Sequence, residues 1–422
     1  MKPQFVIFRF RSVTLLSLGA PLGFATALAF FMGACGPGLS GRTGAEGSAP
    51  STAALEVSGT IAVSPTNSEE VIVVKDEDKE AVCAQTDCEP NYVYSIGETQ
   101  PGESSSGDVA AEALGVGSEV SSLYARKILG VEKAWESTLG SENVIVAVID
   151  TGVEIDHPDL KDNIYTNELE AAGTDSEDRD ANGYAHDVHG WDFYEDKPLT
   201  KDENGHGTHC AGIIAASLNH MGVVGIAPKV KIMPLRFMGP DGRGDTRAAI
   251  RAIYYAINNG AKVISNSWGG PGGSALLGKA VAAARKKGIL FVAAAGNDSS
   301  NNDYSPSYPA NYPGVVSVAS TDAQDALSGF SNYGAQSVVL AAPGSNIYST
   351  YIGHTYKSLS GTSMATPQVA GALALGLSAL KKDVTVNKVV KSLCDTSDRI
   401  HLDATICGRM NVGRFVTALA HF

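Results

Sequence analysis

The sequence of 422 residues predicts an α/β fold, in which a doubly wound, mostly parallel sheet is flanked by helices. Two observations support this prediction. Short, nearly continuous apolar runs alternate with longer segments of helical character, as expected for parallel strands that are covered on both faces. Polar residues suited to chemistry follow several of these runs directly, and sites in such sheets form beyond the carboxyl ends of the strands.

Five apolar runs predict the strands of the sheet, and helical stretches lie between or after them. The predicted strands cover residues 144–149, 230–235, 263–267, 289–293 and 315–318. The predicted helices cover residues 245–258, 274–286 and 361–380. Asp150, Ser267 and Asn297 each come at the end of a predicted strand, so we expect them at one edge of the sheet.

The first 34 residues have the pattern of an export signal. A basic start precedes an apolar stretch over residues 13–31, and the glycines and proline within that stretch make a membrane-spanning helix the weaker interpretation. Residues 32–35, Met-Gly-Ala-Cys, resemble a bacterial lipobox, in which the cysteine becomes the lipidated first residue. We therefore expect a lipid anchor on Cys35, with ordinary signal cleavage nearby or an uncleaved anchor as alternatives.

The charge of the chain restricts its partners. A formal net charge of −13 at pH 7 argues against a nucleic-acid partner, because such a partner requires a basic surface. We expect an exported monomer that is either secreted or tethered to a membrane through Cys35. The residue after Cys35 is Gly36 and not aspartate, which favours the outer membrane if the host has two membranes.

Composition divides the chain into four parts. They are a signal peptide over residues 1–34, a flexible tether over 35–54, a small module or linker over 55–119, and the main domain over 120–422. Residues 59–63, 71–74 and 92–94 are short β-like runs, which suggest a small β module, with disorder as the alternative. Residues 97–119 are rich in glycine, serine and glutamate and have the composition of a second linker.

The six cysteines fall into distinct roles. In an exported chain, the local pairs Cys83 with Cys88 and Cys394 with Cys407 are expected to form disulfides. Cys210 is left over and lies one turn beyond His206 on a predicted buried helix. We therefore expect it to pack as a small apolar residue and not to act as a thiol nucleophile.

Four short segments, far apart in the chain, contain the parts of a serine nucleophile site: residues 150–152, 206–212, 295–297 and 361–367. A hydroxyl near its free pKa is a poor nucleophile, so Ser363 needs a base to take its proton. His206 fits that role, and Asp150 fits the group that holds the base in one tautomer. Asn297 and the backbone N–H of Ser363 are suited to stabilise the developing oxyanion.

The order Asp, His, Ser along the chain, with these flanking glycines, resembles the subtilisin-like serine proteases, whose subtilisin is a standard example of the triad. The resemblance covers roughly residues 124 to 420. It implies the subtilisin-like form of the α/β fold. It also implies an exported serine endopeptidase that hydrolyses protein or peptide substrates through an acyl-enzyme.

The resemblance also implies the residues that bind the substrate. Residues 267–269, Ser-Trp-Gly, match one wall of the pocket for the residue before the cleaved bond, and Ala294 and Gly296 match the other wall. Gly242 and Gly244 match the edge that pairs with the substrate backbone. Asp298, next to Asn297, would favour a basic side chain if it lies at the pocket mouth. A broad apolar preference is the alternative.

Two calcium sites are predicted. In the resemblance to the family, Asp159 and Asn219 match two ligands of a common site. Independently, residues 178–184 repeat the alternating oxygen donors and turn glycine of a calcium loop. The expected ligands of that loop are Asp178, Asp180, Asn182 and Asp187, the last replacing the usual closing glutamate. An acidic, solvated insertion is the alternative.

The region before Tyr124 and the chain as a whole each have alternative roles. Many subtilisin-like enzymes carry a removable pro-segment that assists folding and blocks the cleft, and the region before Tyr124 occupies the right place. Its sequence shows no pro-domain pattern, so a spacer or an accessory binding module is the main alternative.

An inactive relative used as a scaffold is disfavoured, because no triad residue is missing. Zinc binding by His206 and His209 is disfavoured by their spacing.

Overall fold

The computed structural model describes residues 57–64, 70–76, 79–97, 99–101, 119–173, 177–199, 201–400 and 404–422. These residues belong to one structural unit that begins at residue 54. The signal peptide over residues 1–34, the tether over 35–54 and the lipid anchor on Cys35 lie outside the described residues and stay predictions. Within the described ranges, no helix combines the length and the apolar character needed to cross a membrane.

The main sheet lies at the centre of the fold. Its strands are β5 (Ile145–Asp150), β6 (Trp191–Asp192), β7 (Lys197–Pro198), β8 (Lys231–Arg236), β10 (Val263–Asn266), β11 (Leu290–Ala294), β12 (Val316–Thr321) and β13 (Leu340–Pro343). Their order across the sheet is β13-β12-β11-β10-β5-β8-β6-β7. The pairs are parallel from β13 to β6, and β7 is antiparallel to β6.

Two smaller sheets flank the main one. Their strands are β1 (Val57–Val63), β2 (Val71–Val74), β3 (Cys88–Ser95), β4 (Gln100–Pro101), β9 (Arg243–Asp245), β14 (Ile347–Tyr351) and β15 (Thr355–Ser360). One sheet has the order β2-β1-β3-β9 and the other has the order β14-β15-β4. The first thus joins the predicted small module to β9 of the main domain. The second uses residues 100–101, so part of the predicted second linker is a paired strand.

The helices lie on both sides of the main sheet and at the two ends of the described chain. They are α1 (Lys79–Cys83), α2 (Glu119–Leu129), α3 (Val131–Trp135), α4 (Glu168–Ala171), α5 (His206–Ala215), α6 (Thr246–Asn258), α7 (Ala275–Lys286), α8 (Thr362–Ala379), α9 (Val386–Thr396) and α10 (Val412–Leu419). Three of them have side-chain caps. Asp245 accepts from the N–H of Ala248 in α6, Ser274 from that of Leu277 in α7, and Asn411 from that of Arg414 in α10.

The apolar strands are buried on both faces, as their sequences predict. Val146 and Val148 of β5 pack in one core with α5, α8 and α10, while Ala147 and Ile149 pack in a second core with α6 and α7. This alternation follows from the two-residue period of a strand. The predicted doubly wound α/β fold is confirmed, and each of the five predicted strands is observed with bounds shifted by a few residues.

Candidate active site

Asp150 and His206 meet at the carboxyl edge of the main sheet. Asp150 is the last residue of β5 and His206 is the first residue of α5. Asp150 Oδ1 lies 2.8 Å from His206 Nδ1 and also accepts from the N–H of Thr151. Both side chains are buried. The carboxylate therefore fixes the ring so that Nε2 is the nitrogen left for chemistry.

The loop before α5 is held by Asp202, which sequence reasoning did not identify. One carboxylate oxygen of Asp202 accepts from the backbone N–H groups of Asn204 and Gly205. The other accepts from the N–H and the hydroxyl of Thr208. Gly207 is required next to His206, because a side chain there would collide with the carbonyl of Gly152. These contacts set the first turn of α5 against the strand end.

The charge state of His206 depends on its two neighbours. Burial alone would lower the pKa of the ring, but the adjacent Asp150 carboxylate raises it well above the ordinary value. Cys210 Sγ lies 4.0 Å from His206 Nδ1. Burial raises the pKa of the Cys210 thiol, so the thiol stays neutral and packs as predicted.

Ser363 is the second residue of α8 and is buried. Its hydroxyl donates to the carbonyl of Ser267 at 3.0 Å and to that of Ile96 at 3.4 Å. The hydroxyl of Ser267 in turn donates to the Ser363 carbonyl at 3.0 Å. In this state the Ser363 hydroxyl contacts Ile96, which directly follows β3. His206 Nε2 has no hydrogen-bond partner among the described residues.

Asn297 lies beside the start of α8. Its Oδ1 accepts from the N–H and the hydroxyl of Thr362, at 2.9 and 2.8 Å, so the amide is held in one orientation. Its Nδ2 lies 3.2 Å from the position that a side-chain carbon of Gly97 would take. The amide donor of Asn297 therefore faces the backbone at Gly97, next to Ile96, whose carbonyl accepts from Ser363. This arrangement suits the stabilisation of an oxyanion.

A segment that starts in β3 occupies the cleft between the predicted substrate-binding edges. Tyr94 pairs with Gly244 in the antiparallel β3–β9 ladder. Ser95 exchanges two backbone hydrogen bonds with Gly269, at 3.2 and 2.9 Å. The N–H of Ile96 donates to the carbonyl of Gly242 at 3.2 Å. The chain thus binds its own backbone where a substrate backbone was predicted to bind.

One predicted wall of the pocket pairs with this segment, and the other is bonded to the start of α8. Trp268 is buried and its indole N–H donates to the carbonyl of Ile149, which anchors the wall of residues 267–269 to β5. Ala294 ends β11, and the N–H of Gly296 donates to the hydroxyl of Thr362. Asp298 is exposed next to this wall. Whether its charge favours basic side chains stays a prediction.

His209 is not placed to act in catalysis or to bind zinc. It lies within α5, is fully buried, and its Nε2 lies 2.9 Å from the carbonyl of Lys357 and 3.1 Å from that of Ile347. Burial lowers the pKa of His209 to about 3, so the ring is neutral at ordinary pH. These contacts agree with the expectation that His209 bonds locally.

Three carboxylates converge at the predicted calcium loop. Oxygen atoms of Glu170, Asp178 and Asp180 lie within 4.8 Å of one another, and Glu170 is buried. Glu170 comes from α4 and was not identified from the sequence. Asp187, predicted to close the loop, is not in this group. The Asp187 side chain is fully buried, and its oxygens accept from the side chains of Asn167, Asn182 and Tyr255.

Asp159 and Asn219, the other predicted calcium ligands, are hydrogen-bonded to each other. Asp159 is fully buried, and one of its oxygens accepts from Asn219 Nδ2 at 3.0 Å. The other accepts from the N–H of Val223 and from the hydroxyl of Tyr356. Asn219 presents its donor to Asp159, while its Oδ1 accepts from the N–H of Met221. Both carboxylate oxygens are therefore occupied by protein donors.

The structure joins both predicted cysteine pairs. Cys83, the last residue of α1, is bonded to Cys88, the first residue of β3. Cys394 in α9 is bonded to Cys407. The first disulfide therefore lies directly before the strand that enters the cleft.

Several known proteins are similar in sequence to the chain. A sequence model described as the subtilase family matches residues 141–409. Thermitase of Thermoactinomyces vulgaris is 40% identical over 296 residues, which is 69% of this chain and 95% of thermitase. Subtilisin BL of Lederbergia lenta is 43% identical over 237 residues, which is 56% of this chain and 77% of that protein. The range matched by the family includes all four segments of the site.

Proposed function

The chain is a member of the subtilase family and a serine endopeptidase, and from this premise we propose that Asp150, His206 and Ser363 form its catalytic triad. His206 Nε2 takes the proton of Ser363 as Oγ bonds to the substrate carbonyl carbon. The C–N bond then breaks, the leaving amine takes the proton from His206, and an acyl-enzyme remains. Water, activated by the same ring, hydrolyses the ester and restores Ser363.

Asp150 holds the imidazole in one tautomer and stabilises the imidazolium. The 2.8 Å contact between Asp150 Oδ1 and His206 Nδ1 supports this role. The unpartnered Nε2 of His206 supports it too, since a buried nitrogen without a partner is suited to accept the serine proton. Ser363 Oγ donates to carbonyl oxygens in the observed state. Catalysis therefore requires the hydroxyl to rotate toward the ring.

Asn297 Nδ2 and the backbone N–H of Ser363 stabilise the oxyanion in this proposal. The N–H of Ser363 is at the amino terminus of α8, where the helix dipole favours negative charge. The two hydrogen bonds from Thr362 to Asn297 Oδ1 support the role of the amide. They orient the Asn297 N–H donor in advance, so it does not have to move when the transition state forms.

The observation that carries the proposal is the chain's own backbone in the cleft, with Ile96 against Ser363 and Gly97 against Asn297. The test uses the full chain with Ser363→Ala and, as a control, Ser305→Ala, which changes an exposed serine. We expect Ser363→Ala to lose both casein hydrolysis and labelling by a fluorophosphonate, while the control keeps both. Casein hydrolysis by Ser363→Ala at the parent rate would overturn the triad.

We also propose that residues 57–97 are an inhibitory pro-segment, removed when the chain cuts itself after Gly97. The antiparallel pairing of β3 with β9, and that of Ser95 with Gly269, support this role, because a substrate backbone needs the same partners. The position of Gly97 against Asn297 supports the choice of bond. While the segment stays bound, the cleft is closed to other substrates.

The segment also stabilises helices of the main domain. The Glu89 carboxylate accepts from the N–H groups of Ala275 and Leu276 at the start of α7, and from the hydroxyl of Ser274. Asn91 Oδ1 accepts from the N–H of Arg247 in the first turn of α6. These contacts satisfy unpaired N–H donors in the first turns of two helices, which a simple spacer is not expected to do. They therefore favour a pro-segment that assists folding.

The processing proposal is tested by comparing the parent chain with Ser363→Ala. We expect the parent to yield a product whose amino-terminal sequence begins at Glu98, and we expect the variant to keep residues 57–97. Analysis of the intact masses and amino termini distinguishes the alternatives. An active product that retains residues 57–97 would make this region an accessory module or a spacer.

We propose that calcium binds at Glu170, Asp178 and Asp180. Carboxylate oxygens are the ligands that calcium prefers, and a cation among three of them within 4.8 Å of one another would offset their mutual repulsion. Asp187 and Asn182 support the loop through their mutual hydrogen bond. The proposal leaves out Asp159 and Asn219, because Asn219 directs its amide N–H, and not its oxygen, toward Asp159.

We propose that the chain is exported and that a lipid on Cys35 tethers its unprocessed form. The basic and apolar pattern of residues 1–31 and the lipobox-like residues 32–35 support this. The two disulfides also support it, because they require an oxidising compartment. Metabolic labelling with a fatty-acid analogue tests the anchor. Label on the parent chain but not on Cys35→Ala is expected, and equal labelling would exclude this anchor.

A further inference from the structure

Arg236 is a buried cation at the carboxyl end of β8, where Asp150 also lies. Its side chain is only 1% exposed. Its backbone pairs with Asp150 of β5 on one side and with Asp192 of β6 on the other. The N–H groups of Phe237 and Met238, which follow, donate to the Asp150 carbonyl at 3.0 and 3.3 Å. The strand that carries Arg236 therefore fixes the end of β5 from which the Asp150 side chain extends.

The guanidinium group of Arg236 joins three segments of the chain. Nη1 donates to Asp192 Oδ2 at 3.0 Å, and Nη2 donates to Glu203 Oε2 at 2.7 Å. Nε donates to the carbonyl of Met238 at 3.2 Å. A charge that is removed from water requires such partners, because an unpaired buried charge is strongly destabilising. The flat, forked group of arginine can meet three acceptors in different directions, whereas lysine has a single nitrogen.

Glu203 is the partner of Arg236 that leads to His206. It belongs to the loop that Asp202 holds, and His206 follows this loop as the first residue of α5. The hydrogen bonds of Asp202 stay within the loop and α5, so they would move together with His206. The contact between Glu203 and Arg236 instead joins the loop to β8, the neighbour of β5. It thus helps to set the position of the ring relative to Asp150.

Arg236 also contacts the start of the substrate edge, the stretch over residues 238–244 that contains the glycines predicted to pair with a substrate. Met238, whose carbonyl accepts from Nε, begins this stretch. The guanidinium carbon also lies 5.4 Å from the centroid of the Tyr194 ring, which packs against the same stretch. Glu203 is not a partner in these contacts. A change at Glu203 therefore affects the loop before α5 and spares the substrate edge.

We propose that Arg236 is a positioning residue for His206 and that it acts through Glu203. The inference rests on the proposed triad. Among the described residues, the guanidinium bonds neither to the imidazole nor to Ser363. It holds the loop before α5 so that Nδ1 of the ring stays on Asp150 and Nε2 stays available to the serine. A shift of reacting groups by about 1 Å can cost about 100-fold in rate, so an ion pair that prevents such a shift contributes to turnover.

The test uses the enzyme obtained from the full chain after it has lost residues 57–97, as checked by intact mass. Glu203→Gln removes the charge of the partner at nearly constant volume, and the side chain of Glu203 is 27% exposed, so the fold should tolerate the change. Glu195→Gln is the matched control, because the salt bridge of Glu195 is with Lys197 and not with Arg236. We expect Glu203→Gln to lower kcat on a peptide substrate by about 10-fold at unchanged KM, and the control to keep both.

Labelling by a small fluorophosphonate separates an effect on His206 from an effect on the substrate edge. The reagent needs the base that activates Ser363, but it has no peptide backbone to pair with β9. We expect the labelling rate of Glu203→Gln to fall by the same factor as kcat. Slower peptide hydrolysis with an unchanged labelling rate would assign the effect to the substrate edge and overturn the inference. If the processed parent does not label at all, the triad itself fails, and the inference fails with it.

Arg236→Lys tests whether the two residues act through one contact. The lysine keeps a cation beside the buried Asp192 but has one nitrogen for three acceptors. We expect Arg236→Lys, and its combination with Glu203→Gln, to lose the same factor in kcat as Glu203→Gln alone, because one contact is lost in all three. A further loss in the double variant would show that Arg236 does not act through Glu203. A lowered Tm with the parent kcat in Glu203→Gln would make the contact one for stability only.

Discussion

The amide oxygen of Asn297 accepts both the backbone N–H and the hydroxyl of Thr362, at 2.9 and 2.8 Å. Thr362 directly precedes Ser363, so one residue links the proposed oxyanion donor to the proposed nucleophile. The side chain of Thr362 also accepts from the N–H of Gly296. Thr362 is therefore a positioning residue. Its hydroxyl ties the wall at Gly296 and the amide of Asn297 to the start of α8.

Replacing Thr362 with valine removes this hydroxyl at nearly constant volume. We expect kcat to fall by about 10-fold with little change in KM, because the loss is one hydrogen bond that orients a transition-state donor. Thr362→Ser keeps the hydroxyl and should recover most of the activity. Steady-state kinetics on a peptide substrate measures the effect. Equal losses in Thr362→Val and Thr362→Ser would point to packing and not to the hydroxyl.

Activity should rise with pH as His206 loses its proton. Asp150 raises the pKa of His206 above the ordinary value, and the ring must be neutral to accept the proton of Ser363. The raised pKa also stabilises the folded state below the ordinary histidine pKa, and this contribution is lost as pH rises through the folded value. The pH dependence of kcat/KM measures the acidic limb directly.

Asp150→Asn should shift that limb to lower pH and reduce kcat by about 10⁴-fold, the loss seen when a serine protease triad holds the wrong tautomer. The amide can donate to His206 Nδ1, so the proton of the ring moves to Nε2, where the base is needed. Asp303→Asn changes a carboxylate that also accepts backbone hydrogen bonds but lies outside the triad, and it serves as the control. An unshifted acidic limb in Asp150→Asn would contradict the assigned cause.

Calcium should stabilise the parent protein more than a Glu170→Gln variant. At a calcium concentration about 100 times the dissociation constant, binding contributes about 2.7 kcal/mol, which raises Tm by about 5 °C. Thermal unfolding with calcium and with a chelator measures this difference. Glu168→Gln changes an exposed carboxylate on the same helix, and we expect it to respond like the parent. If calcium does not raise the Tm of the parent, residues 178–184 are an acidic, solvated insertion and not a calcium site.

Glu89→Gln should shorten the delay before the full chain becomes active. The carboxylate accepts from the first N–H groups of α7, and a neutral amide interacts less favourably with this helix end. We expect the segment to leave about 10-fold faster, as judged by the onset of peptide hydrolysis after dilution. Glu80→Gln, on α1 of the same segment, is the control. An equal delay in both variants would show that the cap does not hold the segment.

The sequence predicted the parts of the fold that depend on local pattern. The continuous apolar runs identified β5, β8 and β10–β12, because strands buried on both faces carry few polar residues. The positions of Asp150 and Asn297 followed from the strand ends. The predicted β-like runs of the small module lie in β1, β2 and β3. Their shortness left disorder as an alternative, since two or three isolated strands bury too little apolar surface alone.

The contacts that the sequence did not reveal join residues far apart in the chain. Tyr94 pairs with Gly244, and Glu89 caps α7 about 185 residues later. Nothing in the local pattern of β3 distinguishes a strand of a separate module from one that fills a cleft. Glu170 was missed as a calcium ligand for the same reason, because it lies on α4 outside the loop motif.

Under the proposed anchor and cleavage, the position of β3 within the chain would determine where the enzyme works. Cys35 precedes β3, whereas Asp150, His206 and Ser363 all follow it. The proposed cut after Gly97 would therefore leave any lipid on the smaller fragment, and the larger one would diffuse away once the bound segment has left. In such an arrangement the unprocessed protein stays at the membrane while it is inactive, and loss of the segment both opens the cleft and frees the enzyme from the surface.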